Sequence, residues 1–368
     1  NQIKSLNIEN ANIVYGKGLQ TLKIKIGIGD KKIKKLSDEL IQLLENIQPT
    51  EFYRNNHCSI CEFQSECKTK WIEKDHLSLL GGMNKKEVLK RNNRGIFSIL
   101  QLSHTFRPKK YRKPKGKSKR YYPELKALAL RKKQTYLWEL PEIPNTATEI
   151  YLDIEGLADE TLYYLIGVLI KQGGIEKSFS FWADSAEKEE NIFHQFFDVL
   201  KNYDDFTLYH YGKYEMKALK KINKRMNNIF EKELVSVLEK SIDIFSFFLY
   251  NVYVPTYTNS LKEIGGFIGY QWRLPASGVD TLIWRKRWEL TRNEEYKNKL
   301  IGYNIDDCLS LMAAKNWLIE ITNKINIENS GYVKIEKFKS KNSYNWRNPD
   351  DYFHVDSKSL NKFAYFNY

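Results

Sequence analysis

The stretch Glu149-Ile150-Tyr151-Leu152-Asp153-Ile154-Glu155-Gly156 constrains this chain more than any other. Its alternating β-branched and aromatic residues read as a strand, whose period of two sends Asp153 and Glu155 to the same face. Two carboxylates close together repel each other unless something positive sits between them. A divalent cation is the usual answer, since hard cations take carboxylate oxygens. The alternative is an edge strand carrying two solvated acids.

The 368 residues leave room for two or three domains, and a formal charge of +14 favours a polyanionic partner, most often nucleic acid. A basic surface kept only for solubility is the competing explanation. No uncharged run is long enough to span a membrane, which gives an expectation of no membrane and a cytoplasmic location. Three of the four cysteines fall between Cys58 and Cys67, a spacing for a metal or cluster site in a reducing compartment. The chain begins at Asn1 and stops inside the aromatic run Phe363-Ala364-Tyr365-Phe366-Asn367-Tyr368, so it reads as part of a larger polypeptide or complex.

Two strand patterns around Gly16 predict a hairpin, and apolar residues from Ile33 to Ile47 recur at helical spacing. Residues 76–107 form a small helical segment. Its Leu77–Leu80 and Lys85–Arg91 stretches flank a Gly81-Gly82 turn, a candidate helix-hairpin-helix that would grip a nucleic-acid backbone through turn amides. A basic linker follows at 108–144. Lys109, Lys110, Arg112, Lys113, Lys115, Lys117, Lys119 and Arg120 crowd its first part with no acid, as expected of phosphate contacts or of a solvated tether. Beyond Pro144 strands are predicted at 149–155, 162–169, 177–182 and 207–211, with helices at 186–200, 213–221 and 291–320. That order implies an α/β fold with a mixed sheet flanked by helices. A basic aromatic tail occupies 326–368.

Further acids bear on the opening pair. Glu215 follows a strand and sits in the first turn of a helix, where the helix dipole alone favours an acid. Asp243 follows another apolar helix. In Tyr303-Asn304-Ile305-Asp306-Asp307-Cys308, Tyr303 and Asp307 share a helical face while Asp306 points about 100° away. Taken in order, Asp153-x-Glu155, Tyr214-Glu215 and Tyr303-x-x-x-Asp307 resemble the three motifs of DEDDy-type exonucleases of the RNase H-like fold. The stretches Ser260-Leu261-Lys262-Glu263-Ile264, Gly269-Tyr270-Gln271-Trp272-Arg273 and Ser277-Gly278 are similar to the C-terminal domain of RecB-like nucleases carrying such a module.

The resemblance covers about 148–318, placing the domain at 145–325. It implies that Asp153, Glu155, Glu215 and Asp307 hold two Mg²⁺ or Mn²⁺ ions and that Tyr303 orients the attacking water. The implied reaction is 3′–5′ hydrolysis of phosphodiesters, with DNA favoured over RNA by analogy. An inactive nucleic-acid-binding subunit and an RNA-trimming exonuclease are the alternatives. Glu215 departs from the pattern, which normally has aspartate there. Asp243 is expected to orient backbone or a metal-bound water, and Asp306 to be a solvated or salt-bridged neighbour.

Cys58-x-x-Cys61 followed by Cys67 calls for a soft metal. The spacing resembles the C-terminal iron–sulfur triad of RecB-like nucleases of the PD-(D/E)XK fold, which implies a 4Fe–4S cluster. The usual upstream cysteine is missing, as is an Asp and Glu-x-Lys set before Cys58, so residues 1–75 resemble only part of that domain. Zn²⁺, with His57 or His76 as fourth ligand, is the rival. Cys308 is expected to be a buried free thiol.

Overall fold

The computed structural model describes residues 10–15, 20–25, 30–45, 52–55, 57–58, 61–106, 120–324 and 332–335. The chain divides into two compact units after Phe52. The first holds the expected hairpin, β1 (Asn10–Tyr15) antiparallel to β2 (Gln20–Lys25), and helix α1 (Asp30–Glu45). The basic residues Lys109, Lys110, Arg112, Lys113, Lys115, Lys117 and Lys119 lie outside the described residues, as does nearly all of the expected tail.

The second unit opens with α2 (Gln64–Glu73), a single 3₁₀ turn at Leu77–Leu79, α3 (Lys85–Asn92) and α4 (Ile99–Ser103). Trp71, Leu77, Leu80, Val88, Ile99 and Leu102 form their core. The expected pair of helices around Gly81-Gly82 is therefore not formed. Gly81-Gly82 follows a stretch too short for an α-helix, whereas α3 and α4 flank Gly95, whose φ of +74° suits glycine.

Residues 121–144, expected as linker, are instead built into the fold. Helix α5 (Pro123–Lys132) begins with proline in its first turn and ends where Lys133 turns left-handed. Leu125, Ala127, Leu128 and Ala129 are buried on several sides of it, so no single apolar stripe announces the helix. Lys126 is also fully buried, donating through Nζ to Thr256 Oγ1 (2.8 Å) and Asn259 Oδ1 (2.6 Å). Burial pushes its pKa down to about 7, against the pull of Glu263. Strand β3 (Thr135–Leu137) follows.

The main sheet contains β4 (Thr148–Gly156), β5 (Tyr163–Gln172), β6 (Ile175–Trp182), β7 (Phe206–His210) and β8 (Ser241–Asp243), in the order β6-β5-β4-β7-β8. β4 is central, antiparallel to β5 and parallel to β7. Ile150, Leu152 and Ile154 of β4 join Ile192, Phe193, Phe196 and Phe197 of α6 (Glu189–Leu200) and Ala218, Leu219 and Ile222 of α7 (Tyr214–Arg225) in one core. α8 (Glu231–Glu239) adds Leu234 and Val237.

The other face of β4 looks onto the helix that closes the domain. α9 (Ile244–Tyr250), β9 (Val252–Tyr253), α10 (Leu261–Ile268) and α11 (Gly278–Thr291) lead to α12 (Glu294–Lys324). Tyr151, Tyr209, Ile264, Leu311, Ala314 and Leu318 build the core there. Strand β10 (Tyr332–Lys334) pairs with β3, whose other edge takes β9. This mixed sheet flanked by helices is an RNase H-like fold.

Candidate metal centre

Period-two geometry sends Glu149, Tyr151, Asp153 and Glu155 toward α12, which crosses β4 in the opposite direction. At one end of the crossing Lys315 pairs with Glu149 inside the protein. Burial would raise the Glu149 carboxyl, but hydrogen bonds from Lys315 and Tyr151 hold it below its ordinary value. At the other end Asn304 Nδ2 donates to Asp153 Oδ2 (2.6 Å) and to the Asp153 carbonyl (3.2 Å).

Helical spacing then carries Asp307 to the acids of β4. Asp153, Glu155 and Asp307 each offer an oxygen, and the three lie within 4.8 Å of one another. Among the described residues no other His, Cys, Asp or Glu set of three converges this way. All three acids are only partly exposed. Burial, then Asp307, Glu155 and Glu215, raise the Asp153 carboxyl well above its usual range against the Asn304 hydrogen bond. Glu155 is pushed up to about 8, mainly by burial and Asp307. Asp307 reaches only about 6, because the Trp272 hydrogen bond and Lys262 oppose burial. Carboxylates that hinder one another's ionisation and share a half-open floor fit a hard divalent cation.

Glu215 stands outside the converging three yet acts electrostatically on Asp153 and Glu155. It is buried in the first turn of α7, and burial lifts it to about 8. His210 Nδ1 is 3.9 Å from Glu215 Oε2, but it is 2.7 Å from the carbonyl of Gly212, where its proton is bonded. Glu215 Oε2 has no hydrogen-bond partner and is sealed from solvent. A buried polar oxygen without a partner is rare in a folded protein and calls for an explanation. Asp243 accepts from the backbone N–H of Gly212 (2.8 Å), ordering the turn before α7, the backbone role expected of it.

Burial, followed by Asp307 and the other surrounding acids, raises the pKa of the Tyr303 phenol far above the ordinary tyrosine value. It therefore acts as an O–H donor. Asp306 is buried rather than solvated and is paired with Arg273 (2.7 Å). Cys308 is a buried thiol against the Gly167 carbonyl.

Five contributors have no individual role in the sequence reading. Besides Asn304, Trp272 Nε1 donates to Asp307 Oδ1 at 2.7 Å, and Thr281, whose hydroxyl donates to the Gly278 carbonyl (2.9 Å), acts to lower the Glu155 carboxyl. Lys262 donates to the Ala276 carbonyl with its ammonium 4.6 Å from the centre of the Tyr303 ring, attracted by Asp307, Asp280 and Glu155. Arg285 anchors α11 by donating to the carbonyls of Ala183 (3.0 Å) and Asp184 (3.1 Å), which holds Thr281 in place. Asn304, Trp272 and Lys262 all fall inside stretches that carried the family resemblance, and this was their only sequence signal.

The thiols of Cys58, Cys61 and Cys67 are half-buried and do not join a converging donor set among the described residues. Cys58 exchanges contacts with Asn55, and His76 Nδ1 accepts the Ser78 N–H at 3.1 Å. No iron–sulfur or zinc chemistry is assigned to them. Of the basic run only Arg120 is described, over the ring of Tyr122 at 5.6 Å.

Comparison with family models matches residues 150–319 to the RNase H superfamily. No curated protein and no solved structure matches the chain. Sheet order, the acids on the central strand and this match agree: residues 150–319 form an RNase H-like domain.

Proposed function

We propose that this domain is a divalent-metal-dependent nuclease that hydrolyses phosphodiester bonds. The carrying observation is the convergence of Asp153 and Glu155 of β4 with Asp307 of α12 within 4.8 Å. Mg²⁺ or Mn²⁺ held by these acids and Glu215 would supply an activated water and charge stabilisation at the scissile phosphate. The chain's own groups do the rest. Asn304 fixes Asp153, Thr281 bears on Glu155, and Tyr303 stays protonated and donates, so its part is to orient the water rather than to deprotonate it.

The Tyr303-x-x-x-Asp307 spacing supports a 3′–5′ exonuclease, with DNA as the preferred substrate and RNA trimming as the alternative. Loss of Mg²⁺-dependent degradation of end-labelled strands in Asp153→Asn and in Asp307→Asn, with circular dichroism unchanged, is the expected result. Undiminished activity in both variants overturns the reading. A second reading, a binding subunit without catalysis, is favoured by the position of Glu215 outside the converging three. It predicts salt-sensitive binding of the same strands with no Mg²⁺-dependent cleavage in the wild type.

A further inference from the structure

We propose that Trp272 is a positioning residue for the Asp307 carboxylate, setting the metal affinity of the site; this rests on the metal-binding reading above. A half-buried indole N–H favours an acceptor, and any carbonyl would satisfy it. Here the acceptor is one of the three clustered acids, at 2.7 Å. The next residue repeats the pattern on the next acid, since Arg273 donates to Asp306 through its backbone N (3.0 Å) and Nε (2.7 Å). Two consecutive side chains of the segment between α10 and α11 thus grip two consecutive carboxylates of α12. Asp306, spent on Arg273 and buried, serves as the peg; Asp307 keeps a face toward Asp153 and Glu155.

The ring itself is held on two sides. A Cβ on Gly265 of α10 would lie 2.4 Å from the Trp272 ring and 2.7 Å from Ser310 Oγ, so only glycine leaves the indole its place. Tyr270 packs edge-on against it, with ring centres 4.9 Å apart. With the indole N–H bonded to it, the Asp307 carboxylate is oriented before any ion arrives. Hydrogen-bonded partners of ligating carboxylates commonly govern metal affinity by roughly 10- to 100-fold.

The test is Mn²⁺ binding by the full chain, followed by electron paramagnetic resonance, in the wild type, Trp272→Phe and Gly265→Ala. Both variants should bind Mn²⁺ about tenfold more weakly or worse, the first by removing the donor and the second by displacing it. In the wild type, the ¹⁵N–¹H indole resonance that is absent from Trp272→Phe should move on addition of Mg²⁺, which a merely structural tryptophan would not show. Unchanged Mn²⁺ affinity in Trp272→Phe, or an indole resonance indifferent to Mg²⁺, overturns the proposal. Absence of Mn²⁺ binding in the wild type overturns the metal-site reading and the role of Trp272 with it.

Discussion

Asp153, Glu155 and Asp307 gather negative charge where water is scarce, and each makes ionisation of the others harder. The consequence for stability has a definite sign. Glu155 titrates near 8 in the folded chain against an ordinary 4.5, so between these values the folded state holds the proton more tightly than the unfolded state. Metal-free protein should therefore lose stability as pH rises through that window. Mg²⁺ should restore more at pH 8 than at pH 5. Thermal midpoints with chelator and with Mg²⁺ across that range are the check, and a chelated protein that gains stability with pH would contradict it. Asp153→Asn keeps an acceptor for Asn304 while removing a charge, so without metal it should raise the midpoint by a few degrees.

At this scale the sequence was informative about acids and uninformative about their partners. Asp153, Glu155 and Asp307 follow from periods of two and of 3.6 residues. The donor Trp272 and its fellow neighbour Thr281 reach the site by tertiary approach, which no local period encodes. Glu215 was legible as an acid in a first helical turn, but its buried, unpartnered oxygen was not.

Between elements, the contact of β4 and α12 is set by matched steps. Asn304 meets Asp153, and eleven residues on, Lys315 meets Glu149. The neighbouring strand had to yield for this. Gly167 of β5 pairs with Asp153, and a Cβ there would sit 1.6 Å from Asn304 Oδ1. Gly167→Ala should thus push Asn304 off Asp153, costing about 1–3 kcal/mol by overpacking and weakening metal binding with it. Urea unfolding and Mn²⁺ titration measure the two effects; wild-type values in both would mean that Asn304 has room to move.

The one-sided α6 is legible from spacing, with Ile192, Phe193, Phe196, Phe197 and Leu200 on its buried side. α5, buried on several sides and next to a strongly basic run, carries no apolar stripe that spacing could reveal. The helix expected before Gly81-Gly82 is a single 3₁₀ turn, and the Gly81 amide bonds a distant partner, the Tyr257 carbonyl, which no local spacing encodes.

For the whole molecule, the charge of +14 predicts binding to nucleic acid that weakens with salt. Replacing Lys109, Lys110, Arg112, Lys113, Lys115, Lys117, Lys119 and Arg120 by glutamine should weaken binding across all sequences and flatten the salt dependence. An unchanged slope in a fluorescence-anisotropy titration would remove this run from the interface.

Lys126 carries a last consequence. Its ammonium reaches from α5 to Asn259, whose carbonyl accepts the Tyr211 hydroxyl (2.6 Å) and whose amide donates to the Phe248 carbonyl (2.9 Å). β3, just after α5, supplies the partner strand of β9. A fragment of residues 145–325 keeps every acid of the site but loses both supports, leaving buried acceptors unanswered and a sheet edge bare. It should melt at lower temperature and aggregate sooner than residues 53–368, as calorimetry and light scattering would register. The stretch matching the superfamily is thus the chemical part of a larger cooperative body, and transplanting it alone into another chain would carry the ligands across without the scaffold that keeps them aligned.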